Sequence, residues 1–256
     1  MALAVASLWQ REIVRFLRDR SRVFSSIGQP LIFWLLFAGA LRDSFRPGDL
    51  SYGEYFFVGT LAMIVLFTAI FSTVTVIEDR KEGFLQAVLV APVPRSAIAL
   101  GKISGGATLA LGHALVFLLL APLAGVPVTL PGLVFGVAAL ALLAFALTAV
   151  GFTLAWLMDS TAGYHGVMML LLMPMLLLSG AFFPAQGAHP ILTVVMALNP
   201  LTYGVALLRY AFYGVGDATA GLPPLMVCTV VTLAFALGAF ALGTAVVLRR
   251  SARDAT

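Results

Sequence analysis

Charged residues are scarce in this sequence of 256 residues, because Asp, Glu, Lys and Arg together make up only 10% of it, against about 25% in a typical soluble domain. They are missing altogether from the 56 residues that separate Lys102 from Asp159. As a single helix this run would be about 84 Å long, whereas the hydrocarbon core of a bilayer is about 30 Å thick. The run therefore predicts two membrane-spanning helices, joined by a turn at residues 124–127 and Pro131-Gly132.

Residues that carry catalysis or bind metals are equally few. The single cysteine, Cys228, excludes a disulfide framework and a cysteine-based metal site. Ser179 lacks the G-x-S-x-G context of a serine nucleophile, and Gly101-Lys102 lacks the spacing of a phosphate-binding loop. The histidines lie in separate segments without an acidic neighbour at the spacing of metal ligands: His113, His165 and His189. The sequence thus predicts a chain that is not an enzyme and binds no metal or cofactor itself.

The positive charge is distributed as in membrane proteins. The net charge of +4 comes from residues that border apolar runs, where Lys and Arg set topology, so no nucleic-acid partner is expected. The first 22 residues carry five arginines and no uninterrupted apolar core, and we expect no cleavable signal peptide. Their mixture of arginines and apolar residues at helical spacing predicts an amphipathic helix over residues 3–20 in the headgroup region. A solvated charged segment is the alternative.

Six apolar segments predict six membrane-spanning helices: 23–41, 54–77, 97–123, 133–157, 165–180 and 224–248. Prolines break residues 184–213 into pieces too short to cross the bilayer, and these pieces predict a re-entrant hairpin between spans five and six. Both termini would then face the cytoplasm, with twelve of the fifteen Lys and Arg residues on that side. Arg42, Arg46 and Arg209 would lie outside. The predicted fold is one all-α integral membrane domain over residues 1–256.

Asn199-Pro200 lies inside the predicted hairpin and has a local interpretation. Asn is a good helix cap and Pro is favoured in the first turn, so the pair predicts the start of a helix. A water channel would need a second, equivalent element in the first half of the chain, and the sequence has no other Asn-Pro pair.

The most charged stretch follows the second predicted span: Glu78, Asp79, Arg80, Lys81, Glu82 and then Gly83. It continues into apolar residues at i, i+1, i+4 and i+5: Phe84, Leu85, Val88 and Leu89. This pattern predicts an amphipathic helix over residues 78–90 on the cytoplasmic membrane surface, although an ordinary loop fits the periodicity equally well. The spans are nearly free of the ionisable residues that proton- and ion-coupled carriers usually keep, so we expect the energy source to lie outside the membrane.

Two parts of the chain resemble motifs of a known family. Residues 78–95, followed by Gly101-Lys102, resemble the inner loop of ABC-2-type exporter permeases. The second motif of that family is similar to three further stretches, in the same order: residues 178–184, 198–203 and 208–209. Daunorubicin-resistance and nodulation-factor permeases share this layout, and the resemblance covers nearly the whole chain. One position departs from it, because many members have Thr or Ser where this chain has Phe84.

The resemblance implies a transport subunit without an ATPase site of its own. Its partners would be the lipid bilayer, a second copy of itself, and two copies of a cytoplasmic ABC ATP-binding subunit that holds ATP and Mg. The implied ATPase-coupling residues are Glu78, Asp79, Arg80, Lys81, Glu82, Gly83, Phe84 and Leu85. The implied residues of the re-entrant hairpin motif are Gly180, Phe183, Pro184, Asn199, Pro200, Tyr203 and Arg209.

The predicted function is therefore ATP-driven export of an amphipathic or lipid-like substrate across the inner, cytoplasmic membrane of a bacterium or archaeon. We expect the pathway to follow a dimer interface lined by spans one, two and five. An ion-driven secondary transporter and a membrane assembly subunit that transports nothing are the alternatives. Nothing in the sequence selects one substrate.

Overall fold

The structure, a computed structural model, describes residues 1–41 and 50–253, and within these ranges it contains helices and turns but no strand. The predicted all-α fold is confirmed. The helices are α1 Ala2–Arg18, α2 Arg20–Ala40, α3 Tyr52–Thr73, α4 Thr75–Lys81, α5 Phe84–Val90, α6 Arg95–Leu118, α7 Leu130–Leu157, α8 Thr161–Leu177, α9 Pro190–Leu198, α10 Pro200–Tyr213 and α11 Leu225–Arg253. A short 3-10 helix at Asp217–Thr219 precedes α11. Arg42 and Arg46, which are predicted to face outward, are not among the described residues.

Five helical segments are long and apolar enough to cross a membrane: α2, Tyr52–Lys81 (α3 with α4), α6, α7 and Leu225–Arg249 of α11. The two helices α9 and α10 are bent by 85° at their junction and would make a sixth span only if they were counted as one. The apolar α8, with 17 residues, is shorter than these spans. The chain is thus a multi-pass membrane protein, as the sequence predicts.

Local capping rules explain where several helices begin. Ser51 and Glu54 form a capping box at the start of α3, in which each side chain accepts a hydrogen bond from the backbone N–H of the other. Thr129 caps α7. The sequence predicts Pro131-Gly132 in the turn before this helix, and that prediction is wrong, because both residues lie in the first turn of α7. The chain reverses earlier, at Gly125, whose φ of +79° favours glycine.

The helix α3 is the centre of the bundle. It packs against α2, α6, α7, α8 and α10, and nearly all of its residues are buried within the single chain. The prediction that the second span lines a pathway between two copies stays a prediction, since α3 is buried here within one copy. By contrast, α2 and α8 are mostly exposed, and each buries only a narrow stripe of residues.

The predicted N-terminal amphipathic helix is present as α1, and it packs closely on α6. Cβ atoms built on Gly101 and Gly105 would each lie 2.8 Å from the Cβ of a residue of α1, Leu8 and Glu12 respectively. Only glycine allows so close an approach of the two backbones. The face of α1 that carries Leu8, Glu12 and Phe16 is therefore buried against protein, and its depth in the headgroup region stays a prediction.

Candidate functional site

The charged motif forms an elbow, defined here as residues 78–90. The sequence predicts one helix over this range, and that prediction is wrong, because α4 ends at Lys81 and α5 begins at Phe84. Gly83 separates the two helices with a φ of +81°, a left-handed conformation that side chains with a Cβ rarely adopt. The predicted apolar stripe of α5 is confirmed, since Leu85 is buried and Phe84, Val88 and Leu89 pack against the core.

Asp79 is the buried centre of the elbow. Its carboxylate is fully buried and accepts hydrogen bonds from three cations. Arg11 donates two, of 2.8 and 2.6 Å, Lys102 donates one of 2.5 Å, and Arg15 donates one more. Lys102 is itself buried and also binds Glu12 at 2.6 Å. This one carboxylate therefore joins α4 to both α1 and α6.

Further ion pairs extend this arrangement into a charge cluster, whose members are Arg11, Glu12, Arg15, Asp19, Arg22, Glu78, Asp79, Glu82 and Lys102. Glu78 binds Arg15 at 3.1 Å and Arg22 at 2.5 Å. The cluster contains four cations and five anions, so every cation in it has an anionic partner. Burial acts to lower the pKa of Arg11, but the hydrogen bonds and the charge of Asp79 outweigh it and hold that pKa above its ordinary value.

Phe84, the position that departs from the family pattern, contributes to the same contact. The guanidinium carbon of Arg11 lies 3.6 Å from the centre of the Phe84 ring, which is a cation–π geometry. Arg11 thus binds α4 through its N–H groups and α5 through its face. A Thr or Ser at this position would not offer that surface.

Arg80 points to the other side of α4 and ties it to the end of α7. It donates hydrogen bonds to the carbonyl oxygens of Trp156 at 2.6 Å and Met158 at 3.1 Å, and it pairs with Asp159 at 2.6 Å. The last carbonyls of a helix have no partner within the helix, and a cation placed there satisfies them and complements the helix dipole. Arg80 therefore fixes the elbow to α7.

The middle stretch of the second motif, residues 198–203, forms the bend between α9 and α10. Asn199 caps α10 through its side-chain oxygen, which accepts from the N–H of Leu201 at 3.0 Å. Its amide group donates to the carbonyl oxygens of Met175 and Leu178 at 2.6 and 2.9 Å, and so fastens the bend to the end of α8. Pro200 is the first residue of α10, which confirms the predicted helix start. Tyr203 adds a hydrogen bond from its hydroxyl group to the carbonyl oxygen of Ala197.

Arg209 lies apart from this bend and fastens α10 to the turn after α8. Its guanidinium group donates to the carbonyl oxygens of Gly180 at 2.8 Å and Tyr55 at 3.3 Å, and it stacks at 3.6 Å on the Tyr55 ring. Tyr55 donates to the same Gly180 oxygen. Gly180, Phe183, Pro184 and Arg209 line one cavity, so the structure brings these four predicted residues together.

Both motifs fall within residues 4–213, which match the family model described as ABC-2 type transporter. The chain belongs to the ABC-2 type transporter family. Among its relatives, the inner membrane transport permease YadH of Escherichia coli K12 is 27% identical over 84% of this chain and 85% of its own length. Nodulation protein J of Neorhizobium galegae is 28% identical over 90% of this chain and 88% of its own length. ABC-2 permeases generally pair with an ATP-binding subunit.

The surface that the elbow exposes differs from the predicted set of coupling residues. Asp79 and Arg80 bind within the chain, and Leu85 is buried. The exposed residues of the elbow are Lys81, Glu82, Gly83, Gln86, Ala87 and Val90. Sequence reasoning missed the last three, although their spacing opposite the apolar stripe marks them as the outer face of α5.

We expect replacement of Gly83 by alanine to uncouple transport in this permease. A Cβ atom at this position would meet no neighbour, so the effect comes from the left-handed backbone, which costs about 1–2 kcal/mol for a residue other than glycine. Relief of that strain would change the angle between α4 and α5. Transport measured per inserted molecule should fall, while Gly28→Ala, which also places its Cβ in open space but within a regular helix, should transport normally. Normal transport by Gly83→Ala would contradict this role of the turn.

Proposed function

We propose that this permease is the transmembrane subunit of an ATP-driven exporter that moves an amphipathic or lipid-like substrate outward across the inner membrane. It would work as a pair of copies with two copies of a cytoplasmic ATP-binding subunit. The observation that carries this proposal is the elbow, which presents the exposed face of α5 while its other residues fasten it to α1, α6 and α7.

The proposed topology has six spans, namely α2, α3 with α4, α6, α7, α8 and α11, with α9 and α10 as an outer re-entrant hairpin and both termini in the cytoplasm. The 30 residues of Tyr52–Lys81 measure about 45 Å as a helix, well over the roughly 30 Å of the hydrocarbon core. The charged end of α4 can therefore stand beyond the membrane. At about 25 Å, α8 is slightly short, which a bilayer accommodates by local thinning.

The contacts of the elbow supply the proposed route of coupling. A motion of the ATP-binding subunit would act on the exposed face of α5 and pass through Gly83 to α4. From there α3 continues the chain into the bundle, Asp79 connects to α1 and α6, and Arg80 connects to α7. Three of the five long spans, α3 with α4, α6 and α7, would thus receive the motion at the elbow.

The test of this docking surface compares two identical substitutions. Val90 on α5 and Val215 between α10 and α11 are both 86% exposed, and each is replaced by aspartate. In the proposed interface a buried carboxylate without a partner should weaken binding of the ATP-binding subunit roughly tenfold or more. Val90→Asp should therefore lose copurification with that subunit and lose transport.

The matched variant Val215→Asp should keep both properties, because it lies at the far end of the bundle in the proposed topology. Both variants should insert and unfold like the unmodified chain, since both positions are exposed surface. Loss of the ATP-binding subunit by Val215→Asp but not by Val90→Asp would refute the assignment of α5 as the docking element.

A further inference from the structure

A cavity of about 850 Å³ lies between the α9–α10 hairpin, the turn after α8 and the loop that leads to α11. This volume falls within the range of about 300–1,000 Å³ found for pockets that bind small molecules. Its walls are mostly apolar and include Phe183, Met196, Val205 and Leu222. The cavity is separate from the elbow and has no part in the proposed coupling.

Among the described residues that line this cavity, Arg209 is the only cation. It is 2% exposed, and it contacts two carbonyl oxygens and a tyrosine ring. Among residues 1–41 and 50–253, no carboxylate lies within ion-pair distance of it. Asp217 belongs to the same lining but is exposed, at the rim. Arg209 differs in this from Lys102, the buried cation of the charge cluster, which pairs with two carboxylates.

A buried charge without a counter-ion is costly, and a ligand that supplies the opposite charge would relieve that cost. The guanidinium group suits a phosphate or carboxylate, which it can bind through parallel N–H groups. Met196 and the other apolar walls suit a hydrocarbon tail, since methionine adapts its shape to its neighbours. The charge of Arg209 and the apolar walls of the cavity together suit a molecule with an anionic headgroup and an apolar tail.

We propose that this cavity binds an anionic amphiphile, with a phosphate or carboxylate headgroup at Arg209 and an apolar tail along Met196, Val205 and Leu222. The site does not depend on coupling to ATP, and it rests on the proposed function only for the side of the membrane that it faces. The ligand is either a lipid of the surrounding bilayer or a molecule that the permease exports.

The direct test is a titration of the purified full chain with dodecyl phosphate in the neutral detergent dodecyl maltoside, which has the same tail. We expect saturable binding, and much weaker binding of inorganic phosphate, which has no tail. Arg209→Met should weaken binding of dodecyl phosphate about tenfold to a hundredfold, the range of charge-assisted hydrogen bonds. Arg18→Met removes an exposed arginine of α1 and should change nothing. Unchanged affinity of Arg209→Met would overturn the proposal.

A second pair of variants keeps Arg209 and differs between its two members only in charge, so that a folding defect of Arg209→Met does not decide the test. Ala206 lies three residues before Arg209 on α10 and lines the same cavity. Ala206→Glu places a carboxylate at i, i+3 from the arginine, where it can pair with it and occupy the anion site. Ala206→Gln has the same size without the charge. We expect Ala206→Gln to bind dodecyl phosphate and Ala206→Glu not to bind it, whereas equal affinity of the two would overturn the role of Arg209.

Nanodiscs of defined lipid composition distinguish the two sources of the ligand. In nanodiscs of phosphatidylglycerol, native mass spectrometry should show one retained lipid on Ala206→Gln and none on Ala206→Glu if a bilayer lipid occupies the cavity. Nanodiscs of neutral phosphatidylcholine are the control. Binding of dodecyl phosphate without a retained lipid would assign the site to an exported anion. Because no ATP-binding subunit is present, failure of ATP-driven transport would leave these results unaffected.

Discussion

Replacing Asp79 by asparagine should lower the free energy of unfolding by about 3–5 kcal/mol, the cost typical of removing one partner from a buried ion pair. The carboxylate is fully buried and binds Arg11, Arg15 and Lys102. An amide cannot balance three cations, and Lys102 would keep only Glu12. Since this carboxylate accepts three of the hydrogen bonds that join α1 to α4, thermal unfolding of the purified chain in detergent should begin at a clearly lower temperature.

Glu82→Gln is the matched control for this prediction. It makes the same change from carboxylate to amide in the same charge cluster, but the Glu82 side chain is 58% exposed and pairs with a single described residue, Arg15, at 3.0 Å. Exposed ion pairs of this kind contribute about 0–1 kcal/mol. Similar losses of stability in the two variants would show that burial of Asp79 does not decide its importance.

Replacing Gly59 by alanine should separate the turn after α8 from the central helix. A Cβ atom on Gly59 would lie 2.8 Å from the carbonyl carbon of Ala181 and closer still to its oxygen. The obstacle is backbone, which cannot rotate away as a side chain can. We expect a loss of about 1–3 kcal/mol or more, together with a displaced Gly180 carbonyl and a loosened Arg209. The measurement is the unfolding temperature, combined with binding of dodecyl phosphate.

Gly112→Ala provides the comparison for Gly59→Ala. Gly112 lies within α6, and its added Cβ would meet open space. Alanine has the higher helix propensity, so this variant should be as stable as the unmodified chain or slightly more stable. If both substitutions proved harmless, the close approach of α3 to the turn after α8 would be refuted.

Local rules account for the parts of the fold that the sequence predicted well. The uncharged run before Asp159 requires two antiparallel helices, and α6 and α7 pack side by side. Asn199-Pro200 predicts a cap and first turn from the chemistry of two adjacent residues, and α10 begins there. The apolar stripe of α5 follows from helical spacing alone. Each of these inferences needs only neighbouring residues and the thickness of a bilayer.

Pairing between distant residues explains what the sequence did not predict. Asp79 contacts Arg11 across 68 positions and Lys102 across 23, and composition does not record such contacts. A weak indication was present in Glu12, which shares a face of α1 with Leu8 and Phe16. An acid on an apolar face and a lysine beside a run without charge suggest a buried pair, and Glu12 does bind Lys102. The break at Gly83 was missed because periodicity does not register backbone conformation.

The most direct test of the account is a crosslinking experiment on the exposed face of α5. Cys228 is the only cysteine, so Cys228→Ala provides a background for a single cysteine at Val90 or at Val215. Each chain is coexpressed with an ABC ATP-binding subunit from its own genome and treated with a short cysteine-to-amine crosslinker. The account predicts that Val90→Cys crosslinks to the ATP-binding subunit and that Val215→Cys does not. Crosslinking through Val215→Cys but not through Val90→Cys would contradict it.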